Sequence, residues 1–459
     1  MTKTIDLISP IDGSVYLSRP VLSRAEAEDA AARARAAQPG WAARPLAERI
    51  ALVRKANEIV GKTTDRMATE LAHQMGRPIR YGGEYGGFNE RVSYMASIAE
   101  ATLAPTVVED SDAFHRMIKR VPWGVVLVVA PWNYPYMTAI NTIAPALIAG
   151  NTVLLKHASQ TLQVGERLVE AFHEAGVPQD VIQNLVMDHD TTDALISGRK
   201  VDFVNFTGSV GGGQAMERAA AGTFVPVSTE LGGKDPGYVR ADADLDRAVD
   251  VLMDGAIYNA GQCCCGIERI YVHESLYDDF VGKAVAWASA QKLGNPLDPE
   301  TTLGPMANIR FAREVRAQVE EALADGATAH VARMAADDGK GTYVTPQVLT
   351  GVTHDMRVMR DETFGPVVGI MPVKDDDEAV RLMNDCRFGL TASIWTADAA
   401  AAERIGDRIE TGTAFMNRCD YLDPALCWTG CKDTGRGAGL SSLGFQALTR
   451  PKSYHLRKS

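Results

Sequence analysis

The feature that most constrains this chain is a repeated alternation between residues 124 and 207. Apolar Gly124-Val-Val-Leu-Val-Val-Ala130 leads into a helical stretch ending at Gly150. Apolar Thr152-Val-Leu-Leu-Lys156 leads into a second helical stretch ending at Gly176, and VIQNLV and VDFVNFTG follow. Short apolar strands joined by helical crossovers build a parallel sheet, because each strand buries both sides and each crossover returns over a face. Sheets of this kind bind nucleotides beyond the carboxyl ends of their strands. The expected fold class is α/β, with a Rossmann-like nucleotide-binding domain. A second α/β pattern begins near Lys234, with a helix over 244–259, a strand over 267–273, helices to residue 327 and Gly- and Pro-marked strands afterwards.

Upstream, residues 23–38 read as an Ala-rich helix opened by Ser23-Arg-Ala-Glu26, whose side chains can cap the first free amides reciprocally. Pro45 opens a further helical arm with apolar residues at helical spacing through Ile59. A chain of 459 residues fits two or three domains at about 150 residues each. Its net charge of −11, from 47 basic and 58 acidic residues, argues against nucleic-acid or anionic-membrane partners, which attract clustered Lys and Arg. The first residues lack the basic-then-apolar order of a secretory signal, and the apolar run at 125–131 is too short to cross a bilayer, so a cytoplasmic protein is expected. Seven cysteines, three of them consecutive at 263–265, do not form the framework of a secreted disulfide scaffold and read as reduced thiols.

Four segments carry candidate chemistry. Gly208-Ser209-Val-Gly-Gly-Gly213 follows a strand and opens a helix, where backbone amides and the helix dipole favour a phosphate; its spacing is not GxGxxG, and a plain tight turn is an equal reading. Gly261-Gln-Cys-Cys-Cys-Gly266 offers a nucleophile. Adjacent thiols chelate poorly, so no metal is expected, and the competing role is that of small buried hydrophobes. Ser228-Thr-Glu-Leu-Gly-Gly-Lys234 puts Glu230 at a strand end as a candidate base, although an isolated Glu is usually a surface charge. Pro131-Trp-Asn-Tyr-Pro135 ends the first apolar strand, where Asn133 can offer its amide or simply form a Pro-bounded turn.

Taken together and in order, these segments resemble the aldehyde dehydrogenase superfamily across essentially the whole chain. PWN at 131–133, LLK ending at Lys156, FTGS at 206–209, ELGGK at 230–234, GQCCC at 261–265 and ETFGPV at 362–367 all occur. The resemblance selects Cys264 as the nucleophile, Glu230 as the general base, and Asn133 with the Cys264 amide as the oxyanion site. It implies oxidation of an aldehyde to the acid with reduction of NAD or NADP, through a thiohemiacetal and a thioester that water hydrolyses.

For the cofactor, the resemblance implies that Gly208 and Ser209 contact the pyrophosphate, Lys156 the adenine ribose and Glu362 the nicotinamide ribose, with Trp132 alongside. Where NAD-preferring relatives often carry a Glu three residues after the Lys, this chain has Ser159, which removes repulsion against a 2′-phosphate and makes NADP plausible. The segment after Lys432 also departs, running Gly435-Arg-Gly-Ala438 in place of the usual Arg-Glu pair. The resemblance implies a nucleotide-binding domain from 1–99 and 123–233, a catalytic domain over 234–433 and a small β oligomerisation element from 100–122 and 434–459, giving a homodimer or homotetramer. It lines the aldehyde tunnel with Tyr134, Met137, Tyr258, Leu422 and Trp428, and offers Arg418 either to a substrate carboxylate or to an ion pair with Asp420 or Asp423. Alternatives are acyl transfer to coenzyme A, against which Glu230 argues, a cysteine hydrolase, for which no partner His is recognisable, and a non-catalytic binding module.

Overall fold

Five parallel strands form the sheet expected from the alternating pattern, in spatial order Ile182–Asn184, Thr152–His157, Val125–Ala130, Phe203–Thr207 and Val227–Glu230. These elements belong to a computed structural model that describes residues 3–458. All six residues of Val125–Ala130 are buried, and the strand's alternation divides them between two faces. Val126, Val128 and Ala130 pack with the helices Pro135–Ala149 and Leu162–Ala175. Val125, Leu127 and Val129 pack under Arg24–Ala42, His189–Ser197 and Val210–Ala220. A period of two with both faces apolar is why this strand reads as one continuous hydrophobic run.

The chain enters this sheet at Val125–Ala130, builds outward on one side and returns to build on the other. The connections therefore diverge between Val125–Ala130 and Phe203–Thr207. A crevice at such a switch point holds the ligand in doubly wound sheets. Here it is flanked by the Trp132-Asn133 turn and the Gly208-Ser209 turn.

A second sheet of seven strands runs Thr328–Ala329, Gln347–Thr350, Val367–Val373, Ile267–His273, Asp235–Val239, Thr391–Trp395 and Thr413–Met416, parallel except for its first pair. The α/β class is thus present twice. A third, antiparallel sheet joins Thr106–Asp110, Phe114–Pro122 and Thr449–Arg457, so the C-terminal strand pairs with the segment just before the first sheet.

Local details follow from caps. Ser23 and Glu26 form the capping box read from sequence, an arrangement worth about 1 kcal/mol. Pro45 precedes its helix rather than entering it, and the helix spans Leu46–Gly61. The helix after the Gly-rich turn begins at Val210, four residues earlier than Gln214, because the Ser209 hydroxyl accepts the Gly212 amide at 3.2 Å and draws the glycines into the first turn. The helix expected over 244–259 ends at Ile257, and Asn259, Ala260 and Gly261 all take positive φ.

Candidate active site

That run of positive φ makes the sharp approach to the cysteines. Asn259 and Ala260 are non-glycine residues in the left-handed region, a conformation that costs of order 1 kcal/mol each and persists where surroundings over-determine it. The surroundings are specific. Asn259 Nδ2 donates to the carbonyl of Gln262 at 3.1 Å, Gln262 Nε2 returns a bond to the Asn259 carbonyl at 3.0 Å, and Gln262 Oε1 accepts the Ala307 amide at 2.8 Å. Gly261 lies so close to Gly365 that a Cβ would run into that carbonyl.

The loop delivers three thiols whose sulfurs lie within 4.8 Å of one another. They are not equivalent. Cys263 and Cys265 are buried, and both donate to Asp420 Oδ1, at 3.0 and 3.1 Å; Cys264 between them is partly exposed. The neighbouring thiols draw the Cys264 pKa below the ordinary thiol value, while that of Cys265 is pushed up. Of the three, Cys264 is therefore the thiol that ionises most readily. Burial, together with the Cys263 thiol, holds the Asp420 carboxyl well above the usual carboxylate range, toward its neutral form.

Cys264 opens into a cavity of about 320 Å³ lined also by Glu230, Tyr134, Met137, Tyr258, Leu422 and Trp428. Glu230 ends the last strand of the first sheet and is 7% exposed. Burial alone raises its pKa to about 7, the range in which a carboxylate is both available and basic enough to take a proton from water. Asn133 sits just before the cavity residue Tyr134 and is held through its backbone. Its carbonyl accepts Arg77 Nη2 at 2.5 Å and Asn259 Nδ2 at 3.2 Å. Arg77 is itself buried, ion-paired with Glu84 and stacked on the Tyr134 ring at 4.7 Å. Glu84 Oε2 in turn accepts the amides of Tyr136 and Met137, each at 3.0 Å, closing the N-terminus of Pro135–Ala149. One network therefore fixes both the Asn133 turn and the cysteine loop, and leaves the Asn133 side-chain amide without a hydrogen bond to the described residues.

The chain matches the aldehyde dehydrogenase family model over residues 1–454. The chain belongs to the aldehyde dehydrogenase family. It is 35% identical over 446 residues to a succinate-semialdehyde dehydrogenase of Deinococcus radiodurans designated for NADP(+), covering 97% of this chain and 93% of that protein. It is 33% identical to a betaine aldehyde dehydrogenase of Rhizobium leguminosarum bv. trifolii, covering 98% and 93%. Among solved structures, an NAD-dependent aldehyde dehydrogenase from Sinorhizobium meliloti superposes with a TM-score of 0.95 at 33% identity, covering 100% of this chain and 92% of that one. The chain is an NAD(P)-dependent aldehyde dehydrogenase, an oxidoreductase that converts an aldehyde to its acid.

Of the residues expected to hold the dinucleotide in this aldehyde dehydrogenase, Trp132, Lys156, Ser159, Gly208 and Ser209 lie at or just past the carboxyl ends of strands of the first sheet. Lys156 ends its strand with no ion pair or hydrogen bond from its ammonium to the described residues, and burial lowers its pKa. A largely buried cation without a protein partner fits a site for ribose or phosphate oxygens. Ser159 is exposed and opens a short 3-10 turn close by, and its hydroxyl has no hydrogen bond to the described residues. Gly208 and Ser209 end the neighbouring strand and cap Val210–Ala220. Trp132 stacks on Phe311 at 5.0 Å and meets the edge of Phe364 at 5.5 Å. Glu362 accepts the Gly233 amide at 3.1 Å; burial and the nearby Glu268 raise its pKa to about 8. These residues fit an anionic, hydroxyl-rich cofactor.

Arg418 is a correction. It is exposed, outside the cavity lining, and its guanidinium stacks on Tyr421 at 3.4 Å, with no ion pair to Asp420 or Asp423. Arg77, Glu84, Arg91, Asn141 and Asp420 are site residues that the sequence reading did not single out. Lys234 of ELGGK turns inward, pairs with Glu268 and donates to Thr363 Oγ1 at 2.9 Å, and Glu268 accepts the amides of Thr363 and Phe364, each at 2.8 Å. That buried pair fixes the ETFG turn. No helix among the described residues is long and apolar enough to cross a membrane.

Proposed function

We propose that Cys264 is the nucleophile, Glu230 the base that activates water, and the Asn133 side-chain amide, with the Cys264 backbone N–H, the donor pair for the oxyanion. The observation that carries this reading is the asymmetry of the cysteine triplet: two buried thiols turned onto Asp420, and one sulfur open to the cavity that Glu230 shares.

The Cys264 thiolate adds to the aldehyde carbon, forming the C–S bond and placing the carbonyl electron pair on oxygen. Fixed donors there stabilise the charge by several kcal/mol in total. The bound NAD(P) supplies the hydride acceptor that turns this adduct into a thioester. Glu230 then takes a proton from water, whose oxygen attacks the thioester carbon; the C–S bond breaks, the acid leaves and the Cys264 thiolate is restored. Aldehyde, oxidised cofactor and water thus yield carboxylate, reduced cofactor and two protons.

For the cofactor, the proposal places Lys156 and Ser159 at the adenine ribose, Gly208 and Ser209 at the pyrophosphate, and Trp132 and Glu362 at the nicotinamide end. The missing carboxylate at Ser159 supports use of NADP. The exposed valines Val107 and Val108 on the outer strand of the third sheet support its role as an oligomerisation element in a homodimer or homotetramer. The test is nicotinamide reduction, followed by absorbance, with wild type and Cys264→Ser, each cofactor, and coenzyme A present or absent. Turnover without coenzyme A that disappears in Cys264→Ser is expected. Turnover that requires coenzyme A, or that survives the substitution, contradicts the reading.

A further inference from the structure

Arg91 lies on the helix Tyr85–Leu103, is only 6% exposed, and lines the same cavity as Cys264. Its one hydrogen bond among the described residues runs from Nη1 to the Gly87 carbonyl, one turn back, at 2.8 Å; Nε is buried without any partner, and Nη2 has none either. Burial draws its pKa down, yet a guanidinium stays charged in proteins. An unpaired buried cation is costly, by several kcal/mol.

The acids nearby, Glu90 in the same cavity and Glu84, offset its charge only at a distance. Glu90 is engaged with the Tyr421 hydroxyl, Asp420 accepts two thiols and is held toward its neutral form, and no carboxylate among the described residues lies within ion-pairing distance of Arg91. The protein also keeps space around it. Gly87 leaves room where a Cβ would strike Met137 and the Arg91 guanidinium. Two more residues of the cavity lining hold a buried, unpartnered atom, the Tyr134 hydroxyl and Asn141 Oδ1.

The free Nε–Nη2 edge of a guanidinium presents two parallel N–H donors, the geometry that receives both oxygens of one carboxylate. We infer that Arg91 binds a carboxylate on the aldehyde substrate, so that this enzyme acts on short aldehydes carrying an acid at the far end. The inference rests on the aldehyde oxidation proposed above and names its substrate class. Tyr134, whose hydroxyl burial keeps protonated, adds a third donor, and the Asn141 amide, with either orientation open to it, a fourth. A cavity of about 320 Å³ lies at the small end of ligand pockets, which restricts the chain to a few carbons between aldehyde and acid.

The experiment compares kcat/KM for 4-oxobutanoate and 5-oxopentanoate with that for the neutral aldehydes butanal and pentanal, in wild type, Arg91→Gln and Arg91→Lys. Wild type is expected to prefer the acids by at least about tenfold, the increment of a charge-assisted bidentate contact. Arg91→Gln should lower that preference by about 10- to 100-fold, chiefly through KM, and Arg91→Lys should restore part of it. If Arg91→Gln does not fold, the wild-type preference alone decides. Oxidation of the neutral aldehydes as efficiently as the acids, or a preference unchanged in Arg91→Gln, overturns the inference and leaves the oxidation reading standing. Silence with all four aldehydes and both cofactors overturns both.

Discussion

Replacing Glu230 by Gln should stabilise the protein above neutrality while it abolishes turnover. Burial raises the Glu230 pKa to about 7, whereas the unfolded chain keeps the ordinary carboxyl value, 4.5. A group raised in the folded state contributes fully below its unfolded pKa, and that contribution is lost as pH climbs through the folded value. The wild-type penalty is complete above pH 7 and amounts to about 3 kcal/mol, at about 1.4 kcal/mol per tenfold change in proton affinity. Glutamine has the same shape and no charge to bury, so Glu230→Gln avoids the penalty. For a chain of this length the unfolding entropy is about 1 kcal/mol per kelvin, and the gain corresponds to about 3 °C in Tm. Thermal unfolding of both proteins at about pH 5 and about pH 8 is the assay, since the difference between pH values cancels any change in packing. The variant's Tm advantage should grow between the two. An advantage equal at both pH values, or a deficit at the higher one, would refute a buried, uncompensated carboxyl at this position.

Other consequences are open to the same kind of check. In wild type, kcat should rise with pH through about 7 if hydrolysis limits turnover, because Glu230 must be ionised to take the proton; steady-state rates across that range measure it. Arg77→Met strips Glu84 of its partner and Asn133 of its clamp, so stability should fall by about 3–5 kcal/mol, read by chemical denaturation. Ser159→Glu should lower kcat/KM for NADP by about tenfold or more relative to NAD, since a carboxylate would face the 2′-phosphate; an unchanged ratio would move the cofactor's ribose away from this turn.

The parts legible in the sequence share one physical property: they are fixed by local chemistry. Val125–Ala130 reads as a buried strand because both of its faces are apolar, and Ser23 with Glu26 reads as a cap because the two lie one turn apart. Cys264, Glu230 and Asn133 are named by the family resemblance that the short motifs carry, and the structure places the first two in one cavity, with Asn133 immediately before a third lining residue. What could not be read depends on approach through space. Arg77, Glu84 and Arg91 look like ordinary helical-arm charges until Asn133, 56 positions after Arg77, arrives beside them. Asp420 gains its role from a positive φ that turns it onto two thiols. Arg418 shows the converse: the sequence offers it to a substrate carboxylate or to an ion pair with Asp420 or Asp423, yet the chain turns it outward onto Tyr421.

The division of labour between Cys264 and Glu230 is the central claim, and trapping the acyl enzyme tests it most directly. Glu230→Gln, mixed with aldehyde and oxidised cofactor and then digested for peptide mass spectrometry, should release one burst of reduced cofactor per active site and carry the acyl group on Cys264. No burst and no adduct, or an acyl group on Cys263 or Cys265 instead, would contradict it.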